Sequence, residues 1–247
     1  MKKLILFVLV LLSVEFTACE QNGPSNDASN GGSNSSVILP PTDSESPNKP
    51  ENPINSTIGI SKGHNYVDLG LSVKWATMNV GAESIEDYGD YYAWGEVQPK
   101  NVYGISSYKW SKNNQDSYIK YNDTDNKTTL ELSDDAASVI WGGAWRIPTV
   151  DEQKELQSKC TWTWAKSKGV YGYLVTGMNG NSIFLPAGGV RIESDIHKVG
   201  EAGYYWCRSR DINYHIYAYY SSFAEEGYDS CDSYIRYFGH LIRPVLP

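Results

Sequence analysis

From residue 64 the chain reads HNYVDLGLSVKWATMNVG, apolar and polar side chains alternating between glycines. That two-residue period predicts a pair of half-buried strands. EDYGDYYAWGE follows, aromatics set among Gly and Asp, and is expected to be a loop packed over the core. Residues 102–132 are polar and interrupted, with NNQDSY and NDTDNKT, which predicts surface loops with one short strand at most. The pattern then turns helical. In LSDDAASVIWGG, Ser133 is the expected N-cap, with acidic residues in the first turn and glycines as the stop. In RIPTVDEQKELQSKC, Thr149 followed three residues later by Glu152 is a capping box. YGYLVTGMNGNSIFLPAGGV reads as a hairpin turning at NGN. YYWCRS, YHIYAYYSS and HLIRPVL read as three further short strands. Two helices and a twisted, mostly antiparallel sheet make the expected class α+β.

The N-terminus stands apart from this pattern. MKKLILFVLVLLSVEFTAC has two lysines, an apolar run over residues 4–14 and small residues before a cysteine. It reads as a secretory signal over residues 1–18, since the apolar run is too short to span a bilayer comfortably. FTAC resembles a bacterial lipobox with Phe16 where Leu is usual, so Cys19 is the expected lipidation site and the membrane anchor. Residues 19–58, rich in Ser, Asn, Pro and Gly, have few apolar side chains to offset ordering and read as a disordered tether. Residues 59–247 remain as one domain of about 190 residues, enough for a proper core. The expected location is the outer membrane, lipid-anchored and facing the cell surface, with a periplasmic orientation as the other possibility.

Charge and cysteines narrow the chemistry. A net charge of −8 argues against nucleic acid, which wants a basic face. Beyond Cys19 there are three cysteines, Cys160, Cys207 and Cys231, whose spacing matches no metal-site pattern; Cys207 with Cys231 is the first pair to consider for a disulfide. His64, His197, His215 and His240 are scattered, and no HExxH, GxSxG or P-loop is present. The acidic groups SDD and DEQKE are most simply helix-capping charges. The expectation is a non-enzymatic protein with no cofactor and no metal.

YVDLGLSVKWATMNVGA, DYGDYYAWGE, GGAWRIPT, CTWTW, GNSIFLPAGG, GYYW and the terminal RPV together resemble the Fibrobacter major paralogous domain family, over residues 66–246 and in the expected order. That family belongs to the formylglycine-generating-enzyme-like branch of the C-type lectin fold, so the resemblance implies a C-type lectin-like fold. It also implies a surface lipoprotein of the kind found in Bacteroides-like bacteria. Gln153 departs from the family, which usually has an aromatic there, and this weakens the expected packing of that helix. The calcium-lectin signatures EPN and WND are missing, so calcium-dependent sugar binding does not carry over. WCRSR resembles the region where formylglycine-generating enzymes bind copper through two cysteines. This branch, however, normally has Ser at Cys207, and no second motif cysteine follows closely, leaving a copper oxidase as a minor alternative.

A subset of the family serves as variable proteins of diversity-generating retroelements, in which adenines of AAC codons are randomised. Such codons cannot yield Lys, Gln, Glu, Met or Trp. Residues 207–240 lack Lys, Gln, Met and Trp and are crowded with Tyr, Ser, Asp and Asn; Glu225 and Glu226 are the exceptions, and on this reading Cys207 and Cys231 are chance products of randomisation and not a designed bridge. Tyr gives broad amphipathic contact at low entropy cost, and Ser, Gly and Asn give adaptable hydrogen bonding. The resemblance thus points to two ligand-facing patches. The first is Arg210, Asp211, Asn213, Tyr214 and His215, and the second Tyr228, Asp229, Asp232, Ser233, Tyr234, Tyr237 and Phe238. Trp206, Arg236, Ile242, Arg243, Pro244 and Val245 match fixed family positions and are expected to be scaffold. The ligand is a protein or a glycan; a structural or adhesive subunit with no discrete ligand is the other reading.

Overall fold

The computed structural model describes residues 58–112 and 117–247. The signal over residues 1–18, Cys19, and the tether up to residue 57 lie outside the described residues, as do residues 113–116 within NNQDSY. Ile58 opens the first strand.

β1 (Ile58–Ser61) and β2 (His64–Val67) form a hairpin with Ser61 opposite His64. The two turn residues, Lys62 and Gly63, have φ of 51° and 81°, the double left-handed geometry of a type I′ turn, whose twist suits a two-residue hairpin. β3 (Lys74–Ala76) joins β2 antiparallel, as the alternation predicts. The described residues of 102–132 form no named strand, but they are not the surface loops expected. Tyr103, Tyr108, Trp110, Tyr118, Tyr121 and Leu130 all enter the core. Next come α1 (Ala136–Trp141) and α2 (Val150–Lys159). Then follow β4 (Thr161–Ser167), β5 (Val170–Thr176), β6 (Ser182–Pro186), β7 (Val190–Ile192) and β8 (Asp195–His197). β9 (Ala202–Arg210), β10 (Tyr217–Ala224), β11 (Gly227–Ile235) and β12 (Val245–Leu246) complete the chain.

The strands make a four-stranded sheet β1-β2-β3-β12, two three-stranded sheets, β4-β5-β6 and β11-β10-β9, and the β7-β8 ribbon. All the named pairs are antiparallel. With two α-helices, the class is α+β. The β5–β6 hairpin forms as read, with Thr176 opposite Ser182 and Gly180 in the left-handed region at φ 84°. β4 and β11 were not anticipated, and HLIRPVL is a strand only at its last two residues.

The two helix starts differ. The Thr149 hydroxyl accepts from the Glu152 amide at 3.2 Å, and the Glu152 carboxylate accepts from the Thr149 amide at 2.8 Å. Arg146 grips the same carboxylate through both terminal nitrogens, at 2.7 and 2.5 Å. Replacing Thr149 by alanine is expected to cost about 1 kcal/mol, read as a shift of the urea midpoint. Ser133, the expected cap of α1, is not one. Residues Leu132–Asp134 form a 3₁₀ turn, and Asp135 caps α1 by accepting from the Ser138 amide at 3.0 Å. The Asp135 carboxylate also accepts from the Ile147 amide, so the cap residue is chosen by a tertiary contact that no local pattern displays.

α2 lies across β9, β10 and β11, with Gln157 donating to the Ser221 hydroxyl at 2.9 Å. Gln153 is buried in that packing despite its polarity. Trp75, Trp94, Trp145 and Trp206 fill the centre. Two arginines, Arg236 and Arg243, are enclosed with them, the scaffold role expected of both. Arg243 donates to Asn79 Oδ1 at 2.8 Å, the Ala76 carbonyl at 3.0 Å and the Phe184 carbonyl at 2.9 Å, tying β3 to β6. Buried cations persist where every donor finds an acceptor.

Candidate binding surface

The loop between β9 and β10 and the adjoining end of β11 gather the most exposed aromatic and apolar side chains of the C-terminal segment. Ile212 is 67% exposed, Tyr214 61% and Tyr234 44%. The rings form a row: Tyr214 to Tyr217 at 5.8 Å between centroids, Tyr217 stacked on Tyr234 at 6.0 Å, and Tyr234 to Phe238 at 5.6 Å. The row continues inward through Tyr237, 5.4 Å from Phe238, to the buried Tyr108 at 6.4 Å. Its outer end is therefore wet and its inner end belongs to the core.

Three of the expected ligand-facing residues are buried, which corrects that reading. Arg210 is enclosed because it holds the 123–128 loop: its amide donates to the Thr128 carbonyl at 2.7 Å, and its guanidinium donates to the Lys127 and Asp211 carbonyls. Asp211 is enclosed because it shapes the loop that follows. Its carboxylate accepts from the amides of Asn213 at 2.7 Å and Tyr214 at 3.2 Å, and from the Ser233 hydroxyl at 2.5 Å. An Asp accepting from the amides two and three residues ahead is a turn-forming device. Tyr237 is the inner end of the aromatic row and packs in the core.

The remaining residues divide. Asn213, Tyr214, Asp232 and Tyr234 are exposed, while His215, Ser233 and Phe238 are half-buried. Tyr228 is exposed as well, but it belongs to another part of the surface. It packs on Trp162 at 4.9 Å and donates to the Gln157 carbonyl at 3.3 Å. On β10, Tyr228 stands opposite Phe223 and Tyr234 opposite Ala218. Five residues of strand separate them by roughly 17 Å, with a register shift in between. The expected second patch is thus split in two. The backbone of Asp229 lies in β11; its side chain falls outside the described residues.

Ile212, Tyr217 and Asp123 join the surface without having been anticipated. Tyr217 could have been found from its place beside Tyr214 at the start of YAYY. Asp123, 71% exposed at its side chain, comes from a loop remote in sequence and gave no local signal. Its carboxylate contacts His215 Nδ1 at 3.1 Å. A carboxylate on an imidazole is the base-and-orienter half of a nucleophilic triad. Here the nearby Ser233 hydroxyl donates to Asp211 instead. Among the described residues no cluster of three or more His, Cys, Asp and Glu side chains could hold a metal ion, and no helix is long and apolar enough to cross a membrane. What the surface offers is a row of aromatic faces bordered by the carboxylates of Asp123 and Asp232. It stands on a base stapled by Arg210, Asp211 and Arg236. Against protein-family models, curated proteins and solved structures, the chain matches none.

Proposed function

We propose that this chain is a lipid-anchored envelope protein that presents a non-enzymatic binding module of C-type lectin-like fold, similar to the Fibrobacter major paralogous domain. Its ligand is a protein or glycan met at the cell surface. One observation carries the reading. The exposed rings of Tyr214 and Tyr234, with the half-buried Tyr217 between them, sit on a scaffold whose stapling is done by other residues, so their identity is available to be set by a ligand. Rigid amphipathic aromatics of this kind supply contact area at low entropy cost. Randomisation of residues 207–240 by a retroelement fits the same division, because Asn213, Tyr214, Asp232 and Tyr234 face outward.

The test is a binding screen of the full chain on arrays of surface glycans and envelope proteins, run beside a Tyr214→Ala/Tyr234→Ala variant. Saturable binding by the wild type should fall at least tenfold in the variant. Binding that is unchanged in the variant refutes the surface. For the anchor, Cys19→Ala should move the protein out of the outer-membrane fraction; unchanged fractionation refutes lipidation at that residue.

A further inference from the structure

We infer that the chain forms a two-fold dimer through the open edge of β4, which pairs antiparallel with the β4 of a second copy. β4 is hydrogen-bonded on one side only, to β5. The two strands pair in unbroken register from Thr161–Thr176 to Ser167–Val170. They turn through Lys168 and Gly169, whose φ values are 42° and 89°. The pair beside such a two-residue turn is hydrogen-bonded, and bonded and non-bonded pairs alternate from there. The main-chain N–H and C=O groups of Trp162, Trp164 and Lys166 therefore point away from β5. Among the described residues no hydrogen bond reaches them.

Other strands at sheet edges are met by the protein itself. On β9 the amides of Trp206, Arg208 and Arg210 donate to the carbonyls of Leu241, Pro148 and Thr128. On β6 the carbonyls of Phe184 and Pro186 accept from Arg243 and Tyr205. On β11 the Ser233 amide donates to the Asp232 carboxylate at 2.7 Å. β4 lacks the usual guards of a free edge. Its seven residues, TWTWAKS, hold no proline, no bulge and one charge, Lys166.

A second copy fits this edge by register. Trp164 is the middle residue of the strand and also one of the three whose groups point outward. Setting Trp164 opposite its own copy overlays the whole strand and places all three residues in hydrogen-bonded pairs, Trp164 with Trp164 and Trp162 with Lys166. The side chains match in that register. Trp162 is held by Tyr173 at 5.3 Å and Tyr228 at 4.9 Å, and Trp164 by Tyr173 at 5.2 Å, so these rings need little ordering on association. Lys166 falls opposite the Trp162 ring of the second copy, a cation–π partner, and not opposite another lysine. On the other face Thr161 meets Ser167 and Thr163 meets Ala165, small residues that let the strands approach.

Full chains carrying Cys160→Ser with either Thr163→Cys or Ala165→Cys are oxidised separately and as a mixture, digested with trypsin and read by mass spectrometry. Trypsin cuts after Lys159 and Lys166, so a link joins two peptides of residues 160–166. In the pairing, position 163 faces position 165 of the other copy with Cα atoms about 4.5 Å apart, within disulfide reach. Position 163 and its own copy lie on a diagonal of about 7–8 Å, beyond that reach. The 163–165 link in the mixture should exceed the same-site links at least tenfold. Lys166→Pro removes one outward N–H and leaves the bonds to β5 in place. It should abolish that link and convert the dimer seen by sedimentation into a monomer, with a melting curve showing that the variant is folded. Same-site links as abundant as the mixed link, or a wild type that sediments as a monomer at every concentration, would overturn the inference and leave the edge to an extended segment of another protein.

Discussion

Replacing Arg236 by methionine will lower the stability of the domain by about 3–5 kcal/mol, a drop in melting temperature of about 10 °C for a chain of this size. The guanidinium is fully enclosed. It donates to the Tyr108 hydroxyl at 3.1 Å and to the carbonyls of Tyr121 at 2.7 Å, His215 at 2.8 Å and Lys120 at 3.2 Å. It also lies against the rings of Tyr118 at 4.3 Å and Trp94 at 5.2 Å. Methionine fills much of the volume, but the three carbonyls lose this donor inside the protein. These contacts join the 108–121 loops to the segment that delivers His215 to the surface. A second effect therefore follows: amides of residues 118–122 and 215–217 should exchange faster in the variant than those of β5 and β6. A destabilisation below about 1 kcal/mol would show that Arg236 is incidental.

The second large effect is acid instability through His240. Its ring is stacked on Trp206 at 3.9 Å and flanked by Tyr204 and Tyr220, and Nδ1 has no hydrogen-bond partner among the described residues. Burial lowers its pKa to about 3 from an ordinary value of 6.5. The imidazole is then neutral in the folded protein but protonates in the unfolded chain below about pH 6.5. Between those two values the unfolded state binds the extra proton, so stability falls as pH falls. The slope approaches about 1.4 kcal/mol per pH unit and the total about 5 kcal/mol near pH 3. Above pH 6.5 the group is neutral in both states and contributes no pH dependence. Carboxylates titrate over the lower part of the same range, so the measurement is a difference. Unfolding free energies of wild type and His240→Phe, followed from pH 7 to 4, should diverge, with the phenylalanine variant losing less. Parallel curves would mean that the folded protein accommodates the imidazolium.

What the sequence disclosed and what it hid follow a physical line. The capping box of Thr149 and Glu152 and the β5–β6 hairpin were legible because a few adjacent residues determine each. The scaffold role of Arg236 and Arg243 came from the resemblance and is matched by their burial. Asp135 displaced Ser133 as cap because the Ile147 amide, 12 residues away, shares its carboxylate. β11 was missed because GYDSCDSYI is mostly polar, as an edge strand with one wet face can be. Arg210, Asp211 and Tyr237 were read as surface because they share the composition of their neighbours. Residues 123–128 close over Arg210 and Tyr108 packs against Tyr237, while Asp211 is enclosed by its own turn and by Ser233 of β11, and no local pattern encodes those approaches. The same remoteness concealed Asp123.

The central claim is that the outer tyrosines are surplus to folding while their inner neighbour is not. Thermal and urea unfolding of Tyr214→Ala/Tyr234→Ala beside Tyr237→Ala tests it most directly. The account predicts that the double variant stays within about 1 kcal/mol of wild type, as exposed substitutions do. Tyr237→Ala should lose about 3 kcal/mol for its core ring. A double variant that loses as much as Tyr237→Ala would make these tyrosines structural and remove the basis for a binding surface.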